Sequence, residues 1–143
     1  MDPLSDIISL LQPHDCVAAG FDASGDWSIR FEAHAGMKCN AVIKGNCWIT
    51  AEGEKPVALS SGDCAILPLG RPFLLSSRPM RSGQDAQILY APVRHGGTAV
   101  YGSGGDFYMT GARFLLSGPQ ADALLRGLPP LIVVRPGPEQ EAV

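Results

Sequence analysis

The sequence has little charge, few aromatic residues and no long hydrophobic run. Of its 143 residues, 17% are charged and 7% are aromatic. Its longest apolar stretches are far shorter than the roughly 18 residues that a membrane-spanning helix needs. The N-terminal segment Met1-Asp2-Pro3 is acidic and is not followed by the apolar core of a secretion signal. We therefore expect a cytoplasmic protein without a membrane partner.

Basic residues are not in excess. The chain has 11 Lys and Arg against 14 Asp and Glu, which gives a formal net charge of −3. Proteins that hold nucleic acid do so largely by neutralising phosphates with a basic surface. We therefore expect any contact with DNA to be made outside this segment.

The cysteines lack the spacing of a metal site or a redox motif. The four residues Cys16, Cys39, Cys47 and Cys64 form no CxxC pair. Most share a phase with apolar neighbours, so we interpret them as buried, reduced thiols. A redox sensor is the alternative, because Cys39 and Cys47 flank one predicted hairpin and could approach each other.

Glycine and proline are abundant and scattered. The 17 Gly and 12 Pro follow no period, and they interrupt short apolar stretches every eight to twelve residues between about residues 13 and 116. This pattern is typical of many short strands joined by turns. With 45% hydrophobic residues, the chain can bury the core of one domain. The sequence therefore predicts a single all-β domain.

Alternating residues predict the best-defined strands. In Trp27–Ala33, every second residue is apolar, so one face should be core. In residues 37–44 the apolar face carries Met37 and Cys39, opposite Lys38 and Asn40. A Gly-Asn turn at 45–46 leads into residues 47–50, and it predicts a hairpin.

Shorter segments complete the predicted order of elements. Two short helices, with proline at their starts, are expected at Asp2–Leu11 and Pro119–Leu128. Residues 93–106 are rich in glycine and predict a loop. The remaining strands are predicted at Val57–Leu59, Cys64–Leu67, Phe73–Ser76, Gln87–Ala91, Phe107–Leu116 and Leu131–Val134.

The segment Gly62–Phe73 resembles the second cupin motif, in which Gly, five residues, Pro, one residue, Gly, two residues and His recur. Gly62, Pro68 and Gly70 match this pattern, and Phe73 stands where the motif has His. A Gly-Asp turn would start a strand, and Pro68 and Gly70 would end it in a tight turn. The resemblance implies a cupin-type double-stranded β-barrel, or jelly roll, with short flanking helices.

The first cupin motif is matched in part. Gly45 lies eleven residues after His34, and the other ligand positions of the motif hold Glu32 and Lys38. The family binds its metal with three His and one Glu, whereas this chain keeps one His, and Phe73 cannot bind metal at all. We therefore expect no metal, no other cofactor and no catalytic residues.

A wider set of segments is similar to the cupin-like N-terminal domain of AraC-type transcription regulators. The set spans nearly the whole chain and comprises residues 2–8, 33–36, 41–48, 70–72 and 127–130. The resemblance implies a barrel that senses a small effector or forms a homodimer, followed by a DNA-binding domain with two helix-turn-helix units. We expect a barrel domain at residues 1–135 and a linker at 136–143, so that the chain is a truncated regulator rather than a free-standing relative.

Five residues are candidates for effector binding. They are His34, Asn40, Trp48, Arg71 and Phe73, and each also has a purely structural interpretation as a core, turn or surface residue. His34 and Asn40 could form hydrogen bonds, Trp48 could stack, and Arg71 could pair with an acid. Phe73 would fill the space of the lost metal site.

Two other functions remain open at this point. The first is a metal-dependent cupin enzyme, a dioxygenase or isomerase, that uses Glu32 and His34 with His95 or His14. Stoichiometric metal would favour it. The second is a structural dimerisation barrel without an effector, in which the sheet face with Trp48 forms a two-fold interface.

Overall fold

The computed structural model describes residues 14–80, 82–93, 96–117 and 121–136. Strands dominate this part of the chain. Two short helices, α1 (Ala86–Tyr90) and α2 (Ala121–Arg126), and a 3₁₀ turn at Ala91–Val93 complete it. The strands are β1 (His14–Ala23), β2 (Ser28–Phe31), β3 (Met37–Lys44), β4 (Asn46–Ala51), β5 (Val57–Ser60), β6 (Cys64–Leu67), β7 (Phe73–Ser76), β8 (Gln84–Asp85), β9 (Thr98–Tyr101), β10 (Phe107–Leu115) and β11 (Ile132–Val134).

The strands form two sheets that face each other across one core. The first sheet has six strands in the order β11-β6-β3-β10-β1-β9, and the second has five in the order β5-β4-β7-β2-β8. Neighbouring strands are antiparallel except for the pairs β1 with β9 and β2 with β8. Strands that are consecutive in the sequence therefore often lie in opposite sheets, as in a jelly roll. The predicted all-β fold is confirmed.

The main core lies between the sheets and contains an aromatic cluster. The ring centroids of Phe21 and Trp27 are 4.9 Å apart, and those of Trp27 and Phe107 are also 4.9 Å apart. Ile29 and Ile49 add fully buried side chains from the five-stranded sheet. Each such side chain contributes about 1.5–3 kcal/mol through burial. The alternation in residues 27–31 thus identified the core face of β2 correctly.

A second, smaller core lies outside the six-stranded sheet, where α2 covers Met37 and Ile66 with Ala121. Cys39 packs against this outer cluster, so the face of β3 that we expected to be core lies outside the barrel. Lys38 and Asn40, on the supposedly polar face, line the interior instead. The prediction was wrong because β3 is covered on both faces, and alternation cannot then identify the inner one.

The predicted hairpin between β3 and β4 is also absent. The two strands lie in different sheets, and Gly45 forms the corner between them. Its φ is +85°, and a Cβ atom there would lie 2.7 Å from the backbone oxygen of Asp106. Only glycine fits this corner without strain. Cys39 therefore lies outside the barrel and Cys47 inside it, so the two thiols do not approach each other.

Other predicted elements differ in type or extent. Residues 87–91 were expected as a strand but belong mainly to α1, whose first turn is capped by Asp85: the Gln87 amide donates to its Oδ1 at 2.9 Å. The predicted loop at 93–106 contains β9, and β1 was not predicted. The C-terminal helix is described only over Ala121–Arg126, and the predicted N-terminal helix lies outside the described residues.

Arg135, next to the end of β11, forms a salt bridge with Asp63 of the barrel. Its guanidinium donates from Nη1 to Oδ2 of Asp63 at 2.7 Å, and Asp63 is almost fully buried. The same carboxylate oxygen accepts the backbone amide of Ser60 at 2.8 Å. A buried carboxylate needs such partners, so Arg135 is held against the barrel, while the domain bounds 1–135 and a linker from residue 136 stay predictions. None of the helices described here has the length and hydropathy to span a membrane.

Candidate functional site

A cavity of about 380 Å³ opens between the two sheets at one end of the barrel. Both sheets and α1 contribute to its walls. The lining consists of residues 17–19 of β1, residues 31–35 at and after the end of β2, Lys38 and Asn40 of β3, residues 85–87 and Tyr90 around α1, and residues 111–113 of β10. This volume is within the range of small-molecule sites, which begins near 300 Å³.

Small residues on adjacent strands make room for the cavity. Ala19 of β1 pairs with Gly111 of β10, and Gly111 pairs with Asn40 of β3. A Cβ atom at Gly111 would lie 2.7 Å from Oδ1 of Asn40. Asn40 is only 5% exposed, and its Nδ2 has no hydrogen-bond partner in the described part of the chain. The cavity wall therefore carries a buried donor that is not satisfied.

Lys38 and Phe31 line the floor of the cavity, and Phe73 packs against Phe31. The Phe31 and Phe73 rings stack, with centroids 4.5 Å apart and planes inclined by 4°. Nζ of Lys38 lies 4.4 Å from the Phe31 centroid and 5.3 Å from that of Phe73, within cation–π range. Burial, with the nearby charge of Arg113, lowers the pKa of Lys38 from 10.5 to about 8. The ammonium is charged at neutral pH but poorly stabilised.

His34 stands beside this floor. Its ring meets Phe73 edge-on with centroids 5.9 Å apart, and its backbone amide donates to the Gly70 carbonyl at 3.0 Å. Burial, followed by the charge of Lys38, lowers the pKa of His34 from 6.5 to about 4, although nearby backbone groups oppose the shift. Neither ring nitrogen has a hydrogen bond of good geometry among the described residues. The imidazole is therefore neutral at pH 7 and can donate or accept a hydrogen bond.

The two carboxylates that line the cavity already have partners. Oε1 of Glu32 accepts from Nε of Arg30 at 2.7 Å, and both side chains are about half exposed. Asp85 caps α1 through its Oδ1. Neither acid forms a salt bridge with Lys38 or Arg113 within the part of the chain that the structure describes. The acidic groups are thus engaged elsewhere, whereas the two cations are not.

Three of the five predicted site residues come together. His34 and Asn40 line the cavity, and Phe73 packs beneath Phe31 at its floor. Trp48 does not belong to this group, because its neighbours on β4 point into the core and its own side chain lies on the outer face, half-buried. Arg71 is exposed in the β6–β7 turn and does not line the cavity. Binding by any of the five stays a prediction.

The lining residues that were not among the predicted site residues include Phe31, Lys38, Tyr90 and Arg113. Arg113 lies two positions after Gly111, in phase with the buried Phe107 and Met109, so the alternation of β10 could have identified it. Tyr90 was assigned to a strand, which hid its position on α1. Lys38 was considered only as a lost metal ligand.

The positions of the cupin motifs do converge in space. Glu32, His34 and Lys38 line the same cavity, and Phe73 lies next to it. These residues do not fit a divalent metal, because a lysine ammonium and a phenyl ring replace two of its ligands. Within the described ranges, no group of three or more His, Cys, Asp or Glu could hold a metal ion. His95 and the side chain of His14 lie outside those ranges.

A double-sheet barrel with a cavity where the two cupin motifs meet defines the class of this chain as a cupin-type barrel. The chain belongs to the cupin family: a family model described as cupin matches residues 2–143. It is also similar to two proteins named AraC-like transcription regulators. The one from Streptomyces lividans is 35% identical over 135 residues, which cover 94% of this chain and 44% of the relative. The one from Streptomyces antibioticus is 34% identical over 145 residues, which cover 100% and 48%.

The resemblance to AraC-type regulators is confirmed by these two relatives, and the chain spans about half of their length. Two solved structures of ToxT from Vibrio cholerae were also found by structural comparison. Apo ToxT has a TM-score of 0.49 and 8% identity, covering 90% of this chain and 45% of its own. Wild-type ToxT with bound unsaturated fatty acid has a TM-score of 0.49 and 7% identity, covering 92% and 44%.

Proposed function

We propose that this chain is the effector-sensing module of an AraC-type transcription regulator. A small molecule binds in the cavity at the end of the barrel and changes how a DNA-binding domain elsewhere in the regulator is presented. The observation that carries this proposal is a cavity of about 380 Å³ lined by Asn40 and His34, whose side-chain nitrogens (Nδ2 of Asn40 and both ring nitrogens of His34) form no hydrogen bond of good geometry among the described residues. The ligand must bind the two states of the regulator with different affinity to act as a switch.

The energetic reason for binding lies in those unpartnered groups. A buried donor or acceptor that lacks a partner costs about 1–3 kcal/mol. A ligand that accepts a hydrogen bond from Nδ2 of Asn40 and bonds the His34 ring removes part of that cost. The remaining walls, among them Ala19, Phe31 and Tyr90, offer apolar area for the body of the ligand.

The proposed role is regulatory rather than catalytic. The relatives are named as regulators, and the cavity residues at the motif positions are poor ligands for a metal. We propose that the regulator acts in the cytoplasm as a homodimer and that it contacts DNA through a domain outside this chain. Sedimentation equilibrium on the purified chain tests whether this part of the regulator carries the dimer interface, and a monomer at micromolar concentration would refute that.

The experiment that tests ligand binding compares the wild-type chain with a variant whose cavity is blocked. Ala19→Trp places an indole on the inner wall, where Ala19 faces Gly111 across the strands. Both proteins are incubated with a small-molecule extract, separated from unbound material by rapid filtration, denatured, and analysed by mass spectrometry. We expect at least one compound to be retained by the wild type and lost from the blocked variant.

Two further variants make the result decisive. Val100→Trp adds the same side chain on β9, at a site that is 54% exposed and outside the cavity, and it should retain the compound. Val17→Trp blocks the cavity from its rim, where the side chain is 46% exposed, and serves if Ala19→Trp does not fold. A compound retained equally by all four proteins, or no retained compound, would overturn the proposal.

A further inference from the structure

Two cations share the cavity without an acid between them. Lys38 of β3 and Arg113 of β10 are cross-strand partners, and both line the cavity. Like charges placed opposite each other on neighbouring strands repel. Neither residue has a carboxylate within salt-bridge distance in the part of the chain that the structure describes. Arg113 is exposed, so solvent screens part of the repulsion, and its cost in the free protein falls mainly on the partly buried Lys38.

The acids that line the cavity do not relieve this repulsion. Glu32 is bound by Arg30 at 2.7 Å, and Asp85 is held as the cap of α1. Turning either carboxylate towards Lys38 would break an existing hydrogen bond. The natural partner for the two cations is therefore an anion that enters from outside.

The uncharged walls limit the rest of the ligand. Phe31 and Tyr90 present aromatic surface, with centroids 6.1 Å apart, and Ala19 adds apolar area from β1. A cavity of about 380 Å³ is at the small end of ligand sites. A large or highly charged molecule, such as a dinucleotide, does not match walls of this size and chemistry.

We propose that the ligand is a compact organic carboxylate with an apolar body. Its anionic group pairs with Lys38 and Arg113 and accepts a hydrogen bond from Nδ2 of Asn40, while its apolar body lies along Phe31 and Tyr90. This inference rests on the proposed function, since it names the ligand class of the same cavity. A neutral ligand would leave the two cations uncompensated, and a cationic one would add to the repulsion.

The experiment uses three probes that share one body and differ in their head group: 4-phenylbutanoate, 4-phenylbutanamide and 4-phenylbutylamine. Isothermal titration calorimetry measures their dissociation constants at pH 7 and low salt. We expect the carboxylate to bind about tenfold or more tightly than the amide, which corresponds to 1.4 kcal/mol, and the amine not to bind. Lys38→Met and Arg113→Met should each weaken the carboxylate about tenfold and leave the amide unchanged.

The matched control is Lys55→Met, which removes the same charge from an exposed residue outside the cavity and should leave the affinity for the carboxylate unaltered. Equal binding of the carboxylate and the amide, tighter binding of the amine, or full carboxylate affinity in Lys38→Met would overturn the inference. So would the absence of carboxylate binding at millimolar concentration.

Different results would refute the proposed ligand site and the proposed ligand class. If the amide or the amine binds the wild type and Ala19→Trp abolishes that binding, the cavity is a ligand site. Only the proposed anionic head group of the ligand is then wrong. If compounds are retained equally by the wild type and the blocked variants, the cavity itself is not the ligand site.

Discussion

Lys38 combines a cost in stability with a proposed role in binding. Its ammonium is largely removed from water, faces Arg113, and is compensated mainly by the two aromatic rings beneath it. Residues that serve a ligand are often suboptimal for the free fold, because the favourable partner arrives only on binding. Substituting Lys38 should therefore change both the free energy of unfolding of the free protein and its affinity for a ligand.

Lys38→Met should stabilise the free protein at neutral pH. Below pH 8, Lys38 is charged in both the folded and unfolded states, so the cost of burying the charge is fully present. Between about 8 and 10.5 the folded state loses the proton first, and the wild type recovers stability. We expect a gain of about 1–2 kcal/mol at pH 7, or a rise in Tm of roughly 3–6 °C.

Urea denaturation of both proteins at pH 7 and pH 10 checks this expectation. The difference in unfolding free energy should shrink at the higher pH. A variant that is less stable than the wild type at pH 7, or a difference independent of pH, would show that Lys38 is well accommodated in the free cavity.

His34 should make the fold sensitive to acid. Its pKa is about 4 in the folded protein against 6.5 ordinarily, so between these values the unfolded state binds the proton and the folded state does not. Stability should therefore fall as pH drops from 6.5 to 4, by about 1 kcal/mol after allowance for solvent screening of a half-buried ring. His34→Gln should flatten this dependence, as measured by thermal unfolding at pH 7, 5.5 and 4. An equal slope in both proteins would contradict it.

Among single residues, the sequence predicted part of the candidate site. Motif spacing singled out His34 and Phe73, and these two residues do meet at the cavity. The same reasoning could not choose the inner face of β3, because its apolar residues Met37 and Cys39 belong to the outer core with α2, while the polar residues Lys38 and Asn40 line the cavity. The alternation of β10 indicates the face on which Arg113 lies, but its position beside Lys38 depends on the pairing of β3 with β10, which the sequence does not reveal.

The segment after β2 and the β6–β7 turn contact each other next to the cavity. The His34 backbone amide donates to the carbonyl of Gly70 in the β6–β7 turn, at 3.0 Å. Gly70 has a φ of +71°, and a Cβ atom there would overlap the carbonyl oxygen of His34. This explains why the turn of the second cupin motif carries glycine here. Without a Cβ atom at Gly70, the segment after β2 can lie directly against the turn.

Gly70→Ala should therefore displace His34 and destabilise the barrel. The matched control is Gly53→Ala, at a φ of +81°, where an added Cβ atom would have no other atom within 4 Å. Both changes carry the backbone cost of about 1–2 kcal/mol for a left-handed residue, but only Gly70→Ala adds the overlap. We expect Gly70→Ala to cost at least about 1 kcal/mol more in urea unfolding. Equal losses would mean that the contact is easily relaxed.

Elements were predicted best where strict alternation or flanking turns mark their bounds. Strand β2 follows strict alternation, and the bounds of β6 and β7 agree with the turns that flank them. The segment at 87–91 failed because a single turn of helix is too short to display a helical period. The corner at Gly45 was mistaken for a hairpin, because a Gly-Asn pair suits both a tight turn and a crossing between sheets.

At the scale of the whole molecule, the cavity is connected to the outer helix. His34 and Ala35 also line a second cavity of about 530 Å³, whose other wall includes Leu125 and Arg126 of α2. One short segment thus lines both the proposed ligand site and the cavity next to α2, which covers the outer core. A ligand that moves this segment would change the shape of the second cavity, which α2 also lines.

Hydrogen exchange can detect such coupling. On addition of saturating 4-phenylbutanoate, we expect slower amide exchange not only along β3 and β10 but also in α2, because ordering of residues 34–35 should restrict the helix that they face. Protection confined to the strands would indicate a binding site without a link to the outer face.

The measurement that tests the central claim most directly is chemical-shift mapping by ¹H–¹⁵N NMR with a compound retained by the wild-type chain. We predict that the largest changes fall on the side-chain amide of Asn40 and the backbone amides of Gly111 and Arg113, and that Ala19→Trp abolishes them. Changes centred on Trp48 or another outer surface, with Asn40 unaffected, would contradict a ligand-sensing cavity inside the barrel.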